Sequence, residues 1–86
     1  MTSILEEADK LINGDRKEDY GDVRESFERI AKLWSVVLGI EVTSKQVNLC
    51  MMQLKMSREI GKHKRDNLVD ICGYAALVDK LLDNNE

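Results

Sequence analysis

The sequence predicts an all-α protein in which four helices are joined by short loops. Three observations support this class: the 86 residues contain no proline, no segment alternates as a strand would, and apolar residues recur every three or four positions in four segments. A composition of 43% hydrophobic and 34% charged residues is typical of a soluble helical protein. We therefore expect residues 1–86 to form one domain, an antiparallel four-helix bundle.

The first predicted helix begins at Ser3, because Ser3 and Glu6 have the spacing of a capping box. It carries apolar residues on one face and ends near Asn13. The charged segment 15–22 has no helical periodicity, so we expect a surface loop whose Tyr20 packs back onto the fold.

Local cap signals also delimit the second and third helices. Asp22 is the expected N-cap of the second helix and Gly39 its left-handed C-cap, while Thr43 and Gln46 form the capping box of a third helix that ends at Gly61. The apolar face expected on the second helix consists of Val23, Phe27, Ile30, Ala31, Trp34, Val37 and Leu38. The face expected on the third consists of Val47, Cys50, Met51, Leu54 and Ser57.

The last predicted helix, with Asp66 as its N-cap, is apolar on more than one side, so we expect it to lie between neighbours. Gly73 lies inside this helix and suggests close approach of another backbone or a ligand. Asp70 lies among apolar neighbours and requires a polar partner, for which Lys55 and Arg58 are the candidates. One expected stripe is Leu68, Ile71, Cys72, Ala75, Val78 and Leu82, and the other is Tyr74, Leu77 and Leu81.

The apolar surface exceeds what four short helices bury among themselves, which predicts a homo-oligomer assembled through helix faces. Both sides of the last helix and the surface of Met51, Met52 and Met56 are the expected contacts. Cys50 and Cys72 fall on apolar stripes without metal-type spacing, so we expect buried, reduced thiols.

Charge is distributed unevenly along the chain. The net charge is −3, but the segment 55–65 has five Lys and Arg residues against one Glu, a local +4 that leaves −7 for the remainder. Overall acidity argues against general nucleic-acid binding, whereas the local cluster favours contact with one anion. No apolar run reaches the roughly 20 residues that span a bilayer, and the acidic start of the chain is unlike a signal peptide, so we expect a cytoplasmic protein.

The basic cluster immediately precedes the start of the last predicted helix. Its loop residues are Lys62, His63, Lys64 and Arg65. Free backbone N–H groups and the helix dipole favour an anion at such a position, so a phosphate site is one interpretation. A solvated loop that balances an acidic protein is the other.

Two carboxylate pairs offer a possible magnesium site. Glu25 and Glu28 lie three residues apart on the second helix, and Asp66 and Asp70 lie four apart on the last. Exposed helix faces and ordinary helix-start chemistry are the alternative explanations.

The segment DNLVDICGYAALV resembles the apolar helix of the MazG-like all-α nucleotide pyrophosphohydrolases. Together with YGD, Phe27, IAKLW and MMQLKMSR, it is similar to small phage-encoded relatives of that superfamily over residues 16–80. The enzymes bind magnesium through an ExxE pair and an ExxD pair on adjacent helices. In this chain Asp70 matches the aspartate of the ExxD pair, but Asn67 replaces its glutamate. If the two motifs are to lie on adjacent helices, Lys55 and Arg58 occupy the positions of the two glutamates of the ExxE pair.

The resemblance implies a phage or prophage protein that binds a nucleotide without turnover, sequestering a nucleotide signal or assisting nucleotide metabolism. Lys55, Arg58 and residues 62–65 would face the phosphates, and Asp70 with Tyr74 would shape the pocket. One alternative is a magnesium-dependent nucleoside triphosphate pyrophosphohydrolase that uses the two carboxylate pairs. Another is a helical interaction module in which Trp34 and the methionines serve only partner helices.

Overall fold

The computed structural model of the chain describes residues 2–13 and 23–82. These residues form four helices and no strand, which confirms the all-α class: α1 (Ile4–Asn13), α2 (Val23–Leu38), α3 (Ser44–Gly61) and α4 (Arg65–Leu82). None of the helices is long and apolar enough to cross a membrane. The predicted loop 15–22, with Tyr20 and the predicted cap Asp22, lies outside the described residues.

The helix α4 lies at the centre of the fold, as its two-sided apolar pattern predicts. It packs against α1, α2 and α3, whereas α2 and α3 also pack against each other. The buried core joins α2, α3 and α4 through Phe27, Ala31, Val47 and Leu77. Half-buried side chains extend this core, among them Ile12, Val23, Ile30, Trp34, Val42, Met51, Tyr74 and Leu81.

The directions of the helices depart from a fully antiparallel arrangement. The three-residue connection 62–64 makes α3 and α4 antiparallel neighbours. In contrast, Arg65 at the start of α4 contacts Thr2 and Glu7, and Ile12 at the end of α1 lies beside Gly73. Because the amino-terminal ends of both helices meet, α1 runs parallel to α4.

The helix ends follow the cap signals in the sequence. In both capping boxes the backbone N–H groups bond the partner side chains, at 3.1 Å and 3.1 Å for Ser3 with Glu6 and at 2.9 Å and 3.2 Å for Thr43 with Gln46. Gly39 has φ +72°, the left-handed conformation expected after a helix end. Local side-chain chemistry thus sets these boundaries.

The predicted N-cap Asp66 is wrong, because that cap implies a helix beginning at Asn67, whereas α4 begins two residues earlier, at Arg65. The backbone N–H of Asn67 bonds the carbonyl of Lys64 at 2.9 Å, so the cap position falls on Lys64. Asp66 instead lies in the first turn, where its negative charge is favourable to the helix dipole.

The residues of α4 that are most buried are not those of the two apolar stripes expected from periodicity, except for Leu77. Val69, Gly73 and Leu77 are buried, whereas Ala75 is exposed and the remaining members of the first expected stripe are half-buried. The reason is that three neighbours surround α4, so apolar character alone does not mark its deepest side. A Cβ on Gly73 would meet Ile12 Cγ2 at 3.8 Å, an ordinary contact, so close backbone approach does not explain this glycine.

Some residues of the apolar faces predicted for α2 and α3 are also exposed. Val37 and Leu38 of α2 are exposed, as are Cys50, Leu54 and Ser57 of α3. The helix α3 is oriented so that Val47 and Asn48 face the core, which turns Cys50 outward. The expectation of two buried thiols is therefore wrong for Cys50, whereas Cys72 is half-buried, and both are free.

Candidate functional site

Polar side chains meet along the interface between α3 and α4. Lys55 Nζ lies 2.9 Å from Asp70 Oδ2, and the two side chains are only 16% and 30% exposed. This confirms the prediction that Asp70 has a cationic partner on the preceding helix. Each charge compensates the desolvation of the other. Lys55 is therefore paired within the fold and is not a free cation available to a ligand.

Glu59 organises the turn that connects α3 to α4. Its Oε1 accepts hydrogen bonds from the backbone N–H of Lys64 at 3.0 Å and from Asn67 Nδ2 at 3.2 Å, and its Oε2 pairs with His63 Nδ1. These bonds favour the charged carboxylate, so the pKa of Glu59 lies below its usual range; His63 contributes most, followed by the Lys64 backbone. The turn is thereby held in one conformation.

Arg65 connects the start of α4 to α1. Its guanidinium pairs with Glu7 and donates to the backbone carbonyl of Thr2 at 2.6 Å. Two of the cations predicted to face phosphate, Arg65 and the more buried Lys55, therefore have carboxylate partners within the fold.

Three cations remain at the carboxyl end of α3 and the following turn. Arg58, Lys62 and Lys64 are exposed, and no carboxylate of residues 2–13 or 23–82 forms an ion pair with any of them. Directly after them α4 begins, and the first backbone N–H groups of a helix lack acceptors within the helix. We call Arg58, Lys62 and Lys64 the basic cluster.

The residues predicted to shape the pocket, Asp70 and Tyr74, have other contacts within the fold. Asp70 is occupied by Lys55, and Tyr74 packs against the buried core. A shallow groove is found elsewhere, between α1 and α4, where Leu5, Ile12 and Cys72 are among the residues that line it. The cluster is thus an open surface site.

The carboxylates proposed for magnesium do not converge. Glu25 and Glu28 are exposed on α2, whereas Asp66 is exposed at the start of α4 and Asp70 pairs with Lys55. Over the described part of the chain, no group of three or more His, Cys, Asp or Glu side chains is arranged to hold a metal ion. This arrangement counts against the four-carboxylate magnesium site.

The buried amides Asn48 and Asn67 were missed by the sequence reasoning. Asn67 bonds Glu59, whereas Asn48 is 0% exposed and both polar atoms of its amide lack a partner among the described residues. The signal was present in the spacing, because Asn48, Lys55 and Glu59 are seven and four residues apart and so share one side of α3. We call Asn48, Lys55, Glu59, Asn67 and Asp70 the polar row.

The fold and the site define a small all-α domain with a basic turn between its last two helices. The chain belongs to a family whose profile, described as a domain of unknown function (DUF6378), matches residues 3–82. It is 46% identical over 82 residues to the Gene 55 protein of Mycobacterium phage L5, covering 92% of this chain and 52% of that protein. It is 41% identical over 80 residues to the Gene 55 protein of Mycobacterium phage D29, covering 92% of this chain and 53% of that protein.

The chain spans about half the length of these curated relatives. Both relatives are phage proteins, which supports the phage assignment made from the sequence. No solved structure matches the chain.

Proposed function

We propose that this protein binds a phosphorylated small molecule, a nucleotide, at the basic cluster and the adjoining start of α4. The supporting observation is that Arg58, Lys62 and Lys64 are exposed and lack a carboxylate partner among the described residues, whereas Lys55, His63 and Arg65 each have one. Cations beside a helix N-terminus attract a phosphate through their own charge and through the helix dipole.

The proposal gives two different roles to the predicted site residues and to Glu59, which the sequence did not single out. Arg58, Lys62 and Lys64 contact the phosphate. Glu59 and His63 hold the turn, and the Lys55–Asp70 pair fixes α3 against α4, so these four are positioning residues. A fixed turn reduces the entropy lost when the ligand binds.

The proposed activity is binding without hydrolysis. Magnesium-dependent phosphoryl chemistry requires several carboxylates around the ion, and the described residues offer no such group. A protein of this kind would sequester a nucleotide signal or assist nucleotide metabolism in the cytoplasm of the host cell. The same proposal includes a MazG-like bundle and a homo-oligomeric state.

The test is a thermal-shift screen of mono-, tri- and cyclic nucleotides and inorganic phosphate, in EDTA and in magnesium. A ligand that binds the folded state raises the melting temperature according to its concentration relative to its dissociation constant. We expect a nucleotide to bind in EDTA, and Arg58→Ala, Lys62→Ala and Lys64→Ala each to weaken its affinity about tenfold or more.

Lys10→Ala is the matched control, because Lys10 is an exposed cation in the last turn of α1 and lies outside the basic cluster. Its affinity for the nucleotide should equal that of the wild type. Absence of any nucleotide-dependent shift would refute the proposal. Magnesium-dependent release of pyrophosphate that is lost in Glu25→Gln or Glu28→Gln would show instead that the protein is a nucleoside triphosphate pyrophosphohydrolase.

A further inference from the structure

The helices α3 and α4 share an apolar face on the side that points away from α2. Val47 of α3 and Leu77 of α4 belong to the core that these helices form with α2. Leu49 and Ala75 each lie two positions from one of these residues, which is about 200° around a helix, so both point away from the core. Ala75 also lies two positions from Gly73, beside which α1 passes. Both Leu49 and Ala75 are exposed to solvent.

The residues of this face follow the spacing of a coiled-coil seam. Apolar side chains recur along α4 at alternating steps of three and four residues, and along α3 at steps of three, four and four. On α3 they are Leu49, Met52, Met56 and Ile60, and on α4 they are Leu68, Ile71, Ala75, Val78 and Leu82. Every one of these positions lies within the bounds of its helix. We call these residues the α3–α4 face.

The α3–α4 face is uncharged and partly open to solvent. Leu49 and Met56 are each 44% exposed and Ile60 is 88% exposed. Ala75 is also exposed, and the remaining members are half-buried. None of the members is charged, so a partner must present a surface that is equally free of charge. A charge placed against this face would lose its water without gaining a counter-charge.

We propose that the same face of a second copy covers the α3–α4 face, so that the two helix pairs form a four-helix bundle across a twofold axis. The two faces are identical and uncharged, so each meets the condition that the other sets for its partner. Within each copy α3 and α4 are antiparallel, and side chains spaced by three and four residues interlock in bundles of this kind. The proposal does not depend on nucleotide binding, and it specifies the contact for the self-association included in the proposed function.

The size of the face is suitable for a dimer. Both helices have 18 residues and a short turn joins them, so they run side by side over most of their length. At about 1.5 Å per residue and about 10 Å per helix, the face measures roughly 27 Å by 20 Å. A stable interface buries about 800 Å² of accessible surface per partner, and the ridged surface of two helices of these dimensions supplies an area of that order.

The test is sedimentation equilibrium of the full chain and its variants, with helicity checked by circular dichroism. We expect a dimer at about 50 μM, and at least a tenfold weaker dissociation constant in Ala75→Glu and in Met56→Glu. Both side chains are exposed in the single chain, so each variant should retain the helicity of the wild type. Val36→Glu is the matched control, because Val36 is 81% exposed on α2, outside the α3–α4 face, and its variant should associate like the wild type.

A wild-type monomer at about 50 μM would overturn the dimer, also if the face then bound another protein. A dimer that persists in Ala75→Glu or in Met56→Glu, or one that is lost in Val36→Glu, would overturn this face as the contact. Nucleotide affinity measured on the same samples keeps the two proposals apart, because neither Ala75 nor Met56 belongs to the basic cluster. A monomer that binds a nucleotide overturns the dimer alone, and a dimer that binds none overturns the nucleotide site alone.

Discussion

Lys55 of α3 and Asp70 of α4 form a partly buried ion pair, with 2.9 Å between Nζ and Oδ2. The pair links the two helices near the middle of their interface. It also neutralises Lys55, which the sequence predicted to contact the phosphates of a ligand. The pair therefore contributes to the stability of the folded state, because each charge compensates the desolvation of the other.

Removal of either charge should destabilise the protein. Because both side chains are largely shielded from water, we expect Lys55→Met and Asp70→Asn each to lower the free energy of unfolding by about 1–3 kcal/mol. Urea denaturation of both single variants and the double variant gives the coupling energy, expected at about 1 kcal/mol. Additive single effects would show that the pair contributes no coupling.

Glu59 should make stability depend on pH in the acidic range. Its pKa is lowered in the folded protein, chiefly by His63 and then by the Lys64 backbone, so its contribution is complete above the usual glutamate pKa. That contribution is lost as the pH falls through the lowered value. Between about pH 5 and pH 3, the wild type should lose more stability than Glu59→Gln.

Melting temperatures measured at each pH decide this point. Glu28→Gln, which alters an exposed glutamate of α2, is the control and should lose less stability at neutral pH than Glu59→Gln. A wild type and a Glu59→Gln variant whose melting curves shift in parallel with pH would contradict the role of Glu59.

Asn48→Leu should stabilise the protein. The buried amide of Asn48 has no partner among the described residues, and leucine has the same branching without polar atoms, so we expect a gain of about 1 kcal/mol. Asn67→Leu is the matched control and should destabilise, because it removes the bond to Glu59. If chemical denaturation shows a loss for Asn48→Leu, its amide has a partner such as a buried water.

Gly73→Ala should also stabilise the protein, by up to about 1 kcal/mol, because alanine is the better helix former. The added methyl group would lie 3.8 Å from Ile12 Cγ2, in ordinary contact. Gly39→Ala should instead lose about 1 kcal/mol, since Gly39 has φ +72°. Thermal denaturation of the two variants compares them directly, and a destabilised Gly73→Ala would indicate a tighter α1–α4 contact.

The features that the sequence predicted depend on residues close together in the chain. The Ser3–Glu6 and Thr43–Gln46 boxes each join two residues three positions apart, and the short connection 62–64 alone makes Lys55 a neighbour of Asp70. Helical periodicity likewise acts within each segment. These elements therefore follow from local chemistry.

The features that the sequence did not predict depend on distant residues. Whether Arg65 is free for a ligand is decided by Glu7, 58 positions away, and the parallel direction of α1 is fixed by the same contact. The exposure of Cys50 depends on how α3 is rotated against two other helices. Periodicity identifies the apolar face of a helix, but tertiary packing determines which residues of that face are most buried.

The polar row determines which alignment of α3 and α4 is allowed. If α4 slipped by one turn along α3, Asp70 would lie beside Glu59, and Tyr74 would lie beside Lys55. The two carboxylates would repel each other, and Lys55 would lose its counter-charge, whereas the apolar side chains would still find similar neighbours. The charges of the polar row thus disfavour a misaligned pairing of α3 and α4 that hydrophobic contact alone would tolerate. The buried amide of Asn48, which has no partner among the described residues, lowers the stability of the same row.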